Sequence, residues 1–369
     1  MNRRKFLSVL SVVPFPLSRP IGGSAFWESS LHDAEIRGFD LSSLEGLLTP
    51  NDQFYLRDHF PAPALADHEW RLQVAGRVRT PFTIGYAEIL RLPRRDLTVT
   101  IECAGNGVSE GGVSTANWTG IALRTLLERA GLLPEVKHIR LVGADRGKVG
   151  PSSAAVPYSR SIPLEKAIQP DTLLASGMNG SPLPPEHGHP LRAIIPGWYG
   201  MDSVKWLVQI EALTRPDSGY FMTQAYMATR LQTIGSEQRP VTGMQVKSQI
   251  ARPRNGEVIA RGPYRIWGTA WAGENPVTRV DVSTDGGSTW ATASLGEGAR
   301  PYVWTLWEYS WQAGTPGIYT LLVRATDNHG RTQPNVRDSL RIDSYEQNSY
   351  HSVRCQVASA ENSIPGGKS

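Results

Sequence analysis

The sequence predicts an α+β domain followed by an immunoglobulin-like β-sandwich, and three observations predict it. At 369 residues the chain exceeds what one hydrophobic core normally serves, so two domains are expected. From about residue 50 to 235, short helical and strand patterns are mixed without a regular βαβ repeat. After about 245 the helical patterns stop, and short strands separated by turns continue for about a hundred residues. The expected units are residues 1–25 as an export signal, 26–240 as the α+β domain and 245–358 as the sandwich.

Asn2-Arg3-Arg4-Lys5-Phe6-Leu7-Ser8 opens the chain with paired arginines before an apolar stretch too short to span a bilayer. It resembles a twin-arginine export signal, with a cleavage point expected near Gly23-Ser24-Ala25, and so predicts a periplasmic protein without stable membrane insertion. Residues 26 to 50 lack periodicity and read as an extended arm. Trp70–Gly76 alternates as a strand, Thr83–Arg91 reads as a helix capped by Thr83, and Leu97–Ile101 alternates again. Ile121–Ala130 puts Ile121, Leu123, Leu126, Leu127 and Ala130 along a helical face with Gly131 as its stop. His138–Val142 reads as a strand before a polar turn at 143–147, and Tyr158–Ala167 as a strand end and short helix. Thr172–Met178 reads as a strand turned by Asn179-Gly180, and the segment His187–Gly197 begins polar and becomes a buried strand. In the second unit Tyr264–Trp271, Arg279–Ser283, Thr289–Ser294, Trp304–Trp311, Tyr319–Ala325 and Ser352–Val357 read as strands. Asp285-Gly286-Gly287 is a hairpin turn rather than a calcium loop.

Hydrophobic content of 40% and charged content of 20% describe an ordinary globular protein. A net charge of +4, with basic residues interleaved with acids, favours a small anionic substrate or an acidic partner and argues against nucleic acid. There is no glycine-rich dinucleotide or P-loop fingerprint, and no C-x-x-C-H for covalent haem. The two cysteines, Cys103 and Cys355, allow one disulfide at most.

Cys103 ends the strand at 97–101 and is followed by Gly105 and Gly107, whose freedom at positive φ would let the thiol approach a bound group closely. Taken alone, it reads as a buried structural cysteine before a loop, with a Cys103–Cys355 disulfide as a competing reading. His187-x-His189 offers two imidazoles without further defined ligands, too few for a zinc site.

Five ordered blocks give these residues a context: Arg57-Asp58-His59-Phe60-Pro61, Glu102-Cys103-Ala104-Gly105-Asn106, Val113-Ser114-Thr115-Ala116-Asn117-Trp118, His187-Gly188-His189-Pro190-Leu191-Arg192 and Val204-Lys205-Trp206-Leu207. With Val280–Gly287 and Asn348-Ser349-Tyr350-His351, their order and spacing resemble the sulfite oxidase family of molybdopterin oxidoreductases over roughly residues 50 to 355. The resemblance implies that 26–240 binds the molybdenum cofactor, Mo-molybdopterin, and that 245–358 is a dimerisation domain. It implies that Cys103 is the protein ligand to molybdenum, a role suited to a soft thiolate whose pKa the ion lowers. It places Arg57 and Tyr226 as catalytic groups, the first gripping a sulfur oxyanion with its guanidinium fork and the second donating from its phenol. Cofactor contacts are implied at Tyr55, Leu56, Arg57, Asp58, His59, Cys103, Asp145, His187, Arg192, Ser203, Val204 and Lys205. Arg192, Lys205 and His59 can meet a phosphate, and Asp145 can accept from pterin amino groups.

The activity implied is oxidation of sulfite to sulfate, with electrons leaving singly to a c-type cytochrome, by a homodimer. No cytochrome-b5-like segment precedes residue 50, so the acceptor is expected to be separate and the chain to hold no haem. Three departures thin the expected anion pocket: Val108 replaces an arginine five positions after the cysteine, the loop Gly273-Glu274-Asn275-Pro276 offers none, and Asp202 replaces a basic residue before Lys205. They admit a relative's substrate, sulfane sulfur on a carrier protein in a thiosulfate-oxidising complex. From another class, a non-catalytic secreted binding protein predicts no metal and an inert or disulfide-bonded Cys103.

Overall fold

The structure is a computed structural model that describes residues 35–359. The export signal and its cleavage point lie outside the described residues. Two five-stranded sheets build the first unit. One orders Ser181–Pro182, Leu173–Met178, Val113–Ala122 and Arg95–Glu102, with Arg192–Ile194 also pairing with 173–178. The other orders Phe82–Gly85, Arg71–Gly76, Leu207–Leu213, His138–Gly147 and Val156–Pro163, and only the contact of 71–76 with 207–213 is parallel. Helix is scarcer than the sequence patterns suggest: among the described residues only Leu123–Ala130 reaches eight residues.

Several elements move from where periodicity put them. Thr83 is in a strand paired with Gln73, and the helix starts at Tyr86, where Glu88 accepts from the Gly85 N–H at 3.2 Å. Ile121 and Ala122 finish the strand Val113–Ala122, so the helix begins at Leu123 and ends, as expected, at a left-handed Gly131. The polar run 143–147 continues the strand His138–Gly147 through an irregular register against Val156–Pro163. Such irregularities re-aim side chains, and Asp145 lies within this one.

The second unit is two sheets facing each other across a shared core. Lys247–Arg252, Gly262–Trp271, Thr305–Ala313 and Ser294–Leu295 form one; Val258–Ile259, His351–Val357, Gly317–Asp327, Val277–Ser283 and Ala291–Thr292 form the other. Ile266, Ala270, Trp307, Val282, Leu321, Val323 and Cys355 meet between them. The first strand, Lys247–Arg252, has no alternating pattern because Lys247, Ser248, Gln249, Ile250 and Ala251 are all buried. Trp307 fills this core, while Trp271 and Trp304 join the core of the first unit. The two units therefore share an apolar seam, and a hairpin, Met227–Leu231 with Ser236–Pro240, links them. Among the described residues no helix is long and apolar enough to cross a membrane.

Candidate active site

A cavity partly open to solvent lies where the arm, both sheets of the first unit and the 225–227 turn converge. It is lined by Tyr55, Leu56, Arg57, Asp58, His59, Cys103, Asp145, His187, Arg192, Ser203, Lys205 and Tyr226, residues scattered over 170 positions of the sequence yet singled out from it. Val204 stands apart. Its side chain packs in the core and its carbonyl accepts from the Ala193 N–H at 2.8 Å. Neither Val108 nor Asp202 is among the lining residues.

One end of the cavity is cationic. Arg192 is buried, donating from Nη1 to the His187 carbonyl and from Nη2 to the Ser203 carbonyl, each at 3.0 Å. Its guanidinium lies 4.9 Å from the Trp118 ring centroid, and among the described residues no carboxylate pairs with it. Burial pulls its pKa down to about 10, and among the described residues its Nε has no hydrogen-bond partner. Lys205, also lowered by burial, forms an ion pair with Asp58 and donates to the Glu186 carbonyl at 2.8 Å. His187 is bonded to the Asn51 carbonyl at 2.8 Å and is pushed down to about 3 by burial, so it is neutral. His189 faces elsewhere, 2.5 Å from Asp67, so the two histidines do not converge on a metal. Burial lifts Asp145 to about 7, against the pull of its own backbone N–H and of Lys205, and among the described residues its Oδ1 has no hydrogen-bond partner.

At the other end Cys103 carries a free thiol, and so does Cys355 in the sandwich; the disulfide is not formed. Burial pushes the Cys103 thiol up, opposed by the Gly105 backbone N–H and the Arg57 charge. Gly105 and Gly107 do not adopt positive φ, contrary to the sequence expectation. The glycine requirement falls further on, at Gly111, where a Cβ would collide with the Phe39 carbonyl. Arg57 reaches the cavity from the two-residue strand Leu56–Arg57. Its neighbour Asp58 pairs with Lys205 instead, and among the described residues Arg57 has no ion-pair partner. Tyr226, held at φ 57°, shares a short hydrogen bond between its hydroxyl and His59 Nε2. Burial, then the neighbouring Cys103, pushes that hydroxyl up, while burial and Arg57 hold His59 well below its usual value.

Sequence reasoning missed the supports behind these groups. Tyr158 stacks on His59 with centroids 4.0 Å apart and donates to the Met201 carbonyl at 2.7 Å. Arg160, fully buried, donates from Nε to Asp202 at 2.7 Å and lies 5.4 Å from the Tyr226 ring centroid. Asp202 is thus paired behind the site with a cation that no motif announced, and its carboxylate does not face the cavity. Likewise the loop at 273–276 turns away, with Glu274 pairing to Lys166 at 2.6 Å.

Chemically, the cavity offers a buried unpaired guanidinium and an unpartnered carboxylate oxygen at one end, and a thiol, a free arginine and a phenol at the other. Buried polar groups without partners are rare. The Arg192 donor and Asp145 acceptor fit a ligand with an anionic group and N–H donors, as molybdopterin has, and the thiol fits a soft metal.

Comparison with known proteins agrees. Residues 59–221 match the oxidoreductase molybdopterin binding domain, and residues 238–358 the Mo-co oxidoreductase dimerisation domain. Sulfite oxidase of Gallus gallus is 34% identical over 321 residues, covering 79% of this chain and 69% of that protein. Mitochondrial sulfite oxidase of Homo sapiens is 33% identical over 347 residues and 85% of this chain, which spans 62% of that protein's length. The sulfane dehydrogenase SoxCD of Paracoccus pantotrophus has a solved structure that superposes with a TM-score of 0.78 at 30% identity, over 90% of this chain and 89% of that one. With both halves matched in order and the cavity built from the motif residues, the chain belongs to the sulfite oxidase family of molybdopterin oxidoreductases.

Proposed function

We propose that this chain is a periplasmic molybdenum-dependent oxidoreductase that oxidises sulfite to sulfate and passes the electrons to a c-type cytochrome. The observation that carries the reading is the unpaired Arg57 guanidinium facing the same cavity as the free Cys103 thiol. When bound, the cofactor supplies the two-electron redox chemistry. Cys103 Sγ would ligate the metal as thiolate, the ion's charge overcoming the burial that raises the free thiol. Arg192 and Lys205 would hold the cofactor's phosphate and Asp145 its amino groups. Arg57 would bind the oxyanion through charge-assisted hydrogen bonds, and Tyr226, steered by neutral His59, would orient it. The periplasmic site rests on Arg3-Arg4 and the apolar stretch after them, and a homodimer on the match of 238–358 to a dimerisation domain. The immunoglobulin-like assignment of the sandwich rests on its two facing sheets, antiparallel but for the parallel pairing of Val258–Ile259 with His351–Val357.

A second reading keeps the site and changes the substrate to sulfane sulfur on a carrier protein. The likeness to SoxCD favours it, together with Val108 where sulfite-oxidising relatives place an arginine. Co-expression with cofactor synthesis, followed by metal analysis and steady-state assay with sulfite and cytochrome c, separates these. We expect about one molybdenum per chain and sulfite-dependent cytochrome reduction. Molybdenum without sulfite turnover selects the sulfane reading, and no molybdenum selects a non-catalytic binding protein.

A further inference from the structure

The loop that carries Cys103 is held less by its own domain than by the sandwich. Its two ends are tied together, Cys103 N–H to the Gly112 carbonyl at 2.8 Å and Gly112 N–H to Asn106 Oδ1 at 2.9 Å. Lys247, on the first sandwich strand, is 1% exposed. Its ammonium donates to Glu102 Oε1 at 2.8 Å and to the Asn106 and Gly107 carbonyls at 2.9 Å each, matching three protons with three acceptors. Those acceptors bracket Cys103 on both sides along the chain. Glu102, itself 1% exposed, accepts from Asn106 Nδ2 at 3.0 Å through Oε1 and from Trp271 Nε1 at 2.8 Å through Oε2. Two residues beyond Lys247, Gln249 Nε2 donates to the Val108 and Glu110 carbonyls at 3.0 and 2.9 Å.

A buried ion pair is a poor source of stability, because removing both charges from water offsets their attraction, and a well-packed apolar pair often serves as well. Neither Lys247 nor Glu102 lines the cavity, so neither is placed to bind a ligand. What the pair does fix is the backbone on either side of one sulfur. We propose that Lys247 is a positioning residue which, through Glu102, Asn106 and Gly107, sets where the Cys103 sulfur stands, so that both domains build the metal site. This rests on the molybdenum reading of Cys103.

The test compares Lys247→Met, and the charge-balanced double variant Glu102→Gln/Lys247→Met, with wild type in holoenzyme and cofactor-free form. Outer-shell partners of metal ligands typically matter by about 10–100-fold. We expect variants with wild-type molybdenum content, a shifted thiolate-to-molybdenum absorption band, and kcat at least about tenfold lower with KM within about twofold. In cofactor-free protein the amides of Cys103 and Gly112 should exchange at least about tenfold faster. Loaded variants with the wild-type absorption band and kcat overturn the proposal, as does failure of both to fold, which makes Lys247 a requirement of the domain interface. Wild-type protein without molybdenum sinks the metal reading itself, a result distinct from either.

Discussion

The two ends of the cavity are built on opposite plans. At the Arg192 end, polar groups are left with capacity to spare: among the described residues Arg192 Nε and Asp145 Oδ1 have no hydrogen-bond partners, and the guanidinium forms no ion pair, with Asp58 its nearby carboxylate. Behind Cys103 the groups that hold its loop are engaged, with both carboxylate oxygens of Glu102 and all three protons of Lys247 hydrogen-bonded, while Arg57 on the cavity side keeps no ion pair among the described residues. Unsatisfied buried groups cost free energy that a ligand can recover, so the first end is built to bind. Saturated networks rigidify, so the second is built to hold a sulfur still.

This contrast predicts that binding and chemistry separate by mutation. Cys103→Ser should abolish turnover, a loss of about a thousandfold or more, because a hydroxyl does not replace a thiolate at a soft metal. The pterin should stay bound, since Arg192 and Lys205 are untouched; fluorescence of the released pterin measures this. Loss of the pterin along with the activity would break the contrast. Arg192→Met should do the reverse. Charge-assisted hydrogen bonds contribute about 1.5–3 kcal/mol, so cofactor retention should weaken by roughly 10–100-fold. Thermal stability of the cofactor-free chain should change little, because removing a buried cation that has no ion pair offsets the loss of its bonds to the His187 and Ser203 carbonyls. Dialysis against chelator followed by metal analysis gives the first, and a melting curve the second. A large drop in melting temperature would mark Arg192 as structural.

The same contrast separates what the sequence discloses from what it hides. Binding groups sit in short motifs, and Arg57, Cys103, His187, Arg192 and Lys205 were legible because each block is contiguous in sequence. Asp145 and Tyr226, outside the ordered blocks, also reach the cavity. The holding groups were not legible. Lys247 and Gln249 lie on a strand buried on both sides, which erases the alternation that marks a strand. Arg160 looked like one of many basic residues until the fold brought it to Asp202, 42 positions away. Trp271 read only as the end of a strand in the second unit, and the domain seam shows its indole N–H on Glu102. Long-range partners of this kind have no local pattern.

The smallest expected effect probes the binding end through pH. In the cofactor-free chain, burial lifts Asp145 to about 7, against an unfolded value of about 4. Between these the folded chain keeps a proton that the unfolded chain has lost, so this group's contribution is complete below about pH 4 and is lost as pH rises to about 7. His59, His187 and His351 oppose it: burial depresses all three, the unfolded chain binds their protons first, and their contribution grows as pH rises towards about 6.5. The total is therefore a poor readout, and the difference between wild type and Asp145→Asn isolates the carboxyl. Urea unfolding from pH 4.5 to 7.5 should show the Asn variant gaining on wild type by roughly 2–4 kcal/mol. A pH-independent difference would mean that Asp145 already has its donors in the folded chain. If the carboxylate oxygen instead waits for a ligand's N–H groups, bound cofactor should shrink the gap, because donors that stabilise the anion bring its pKa back down.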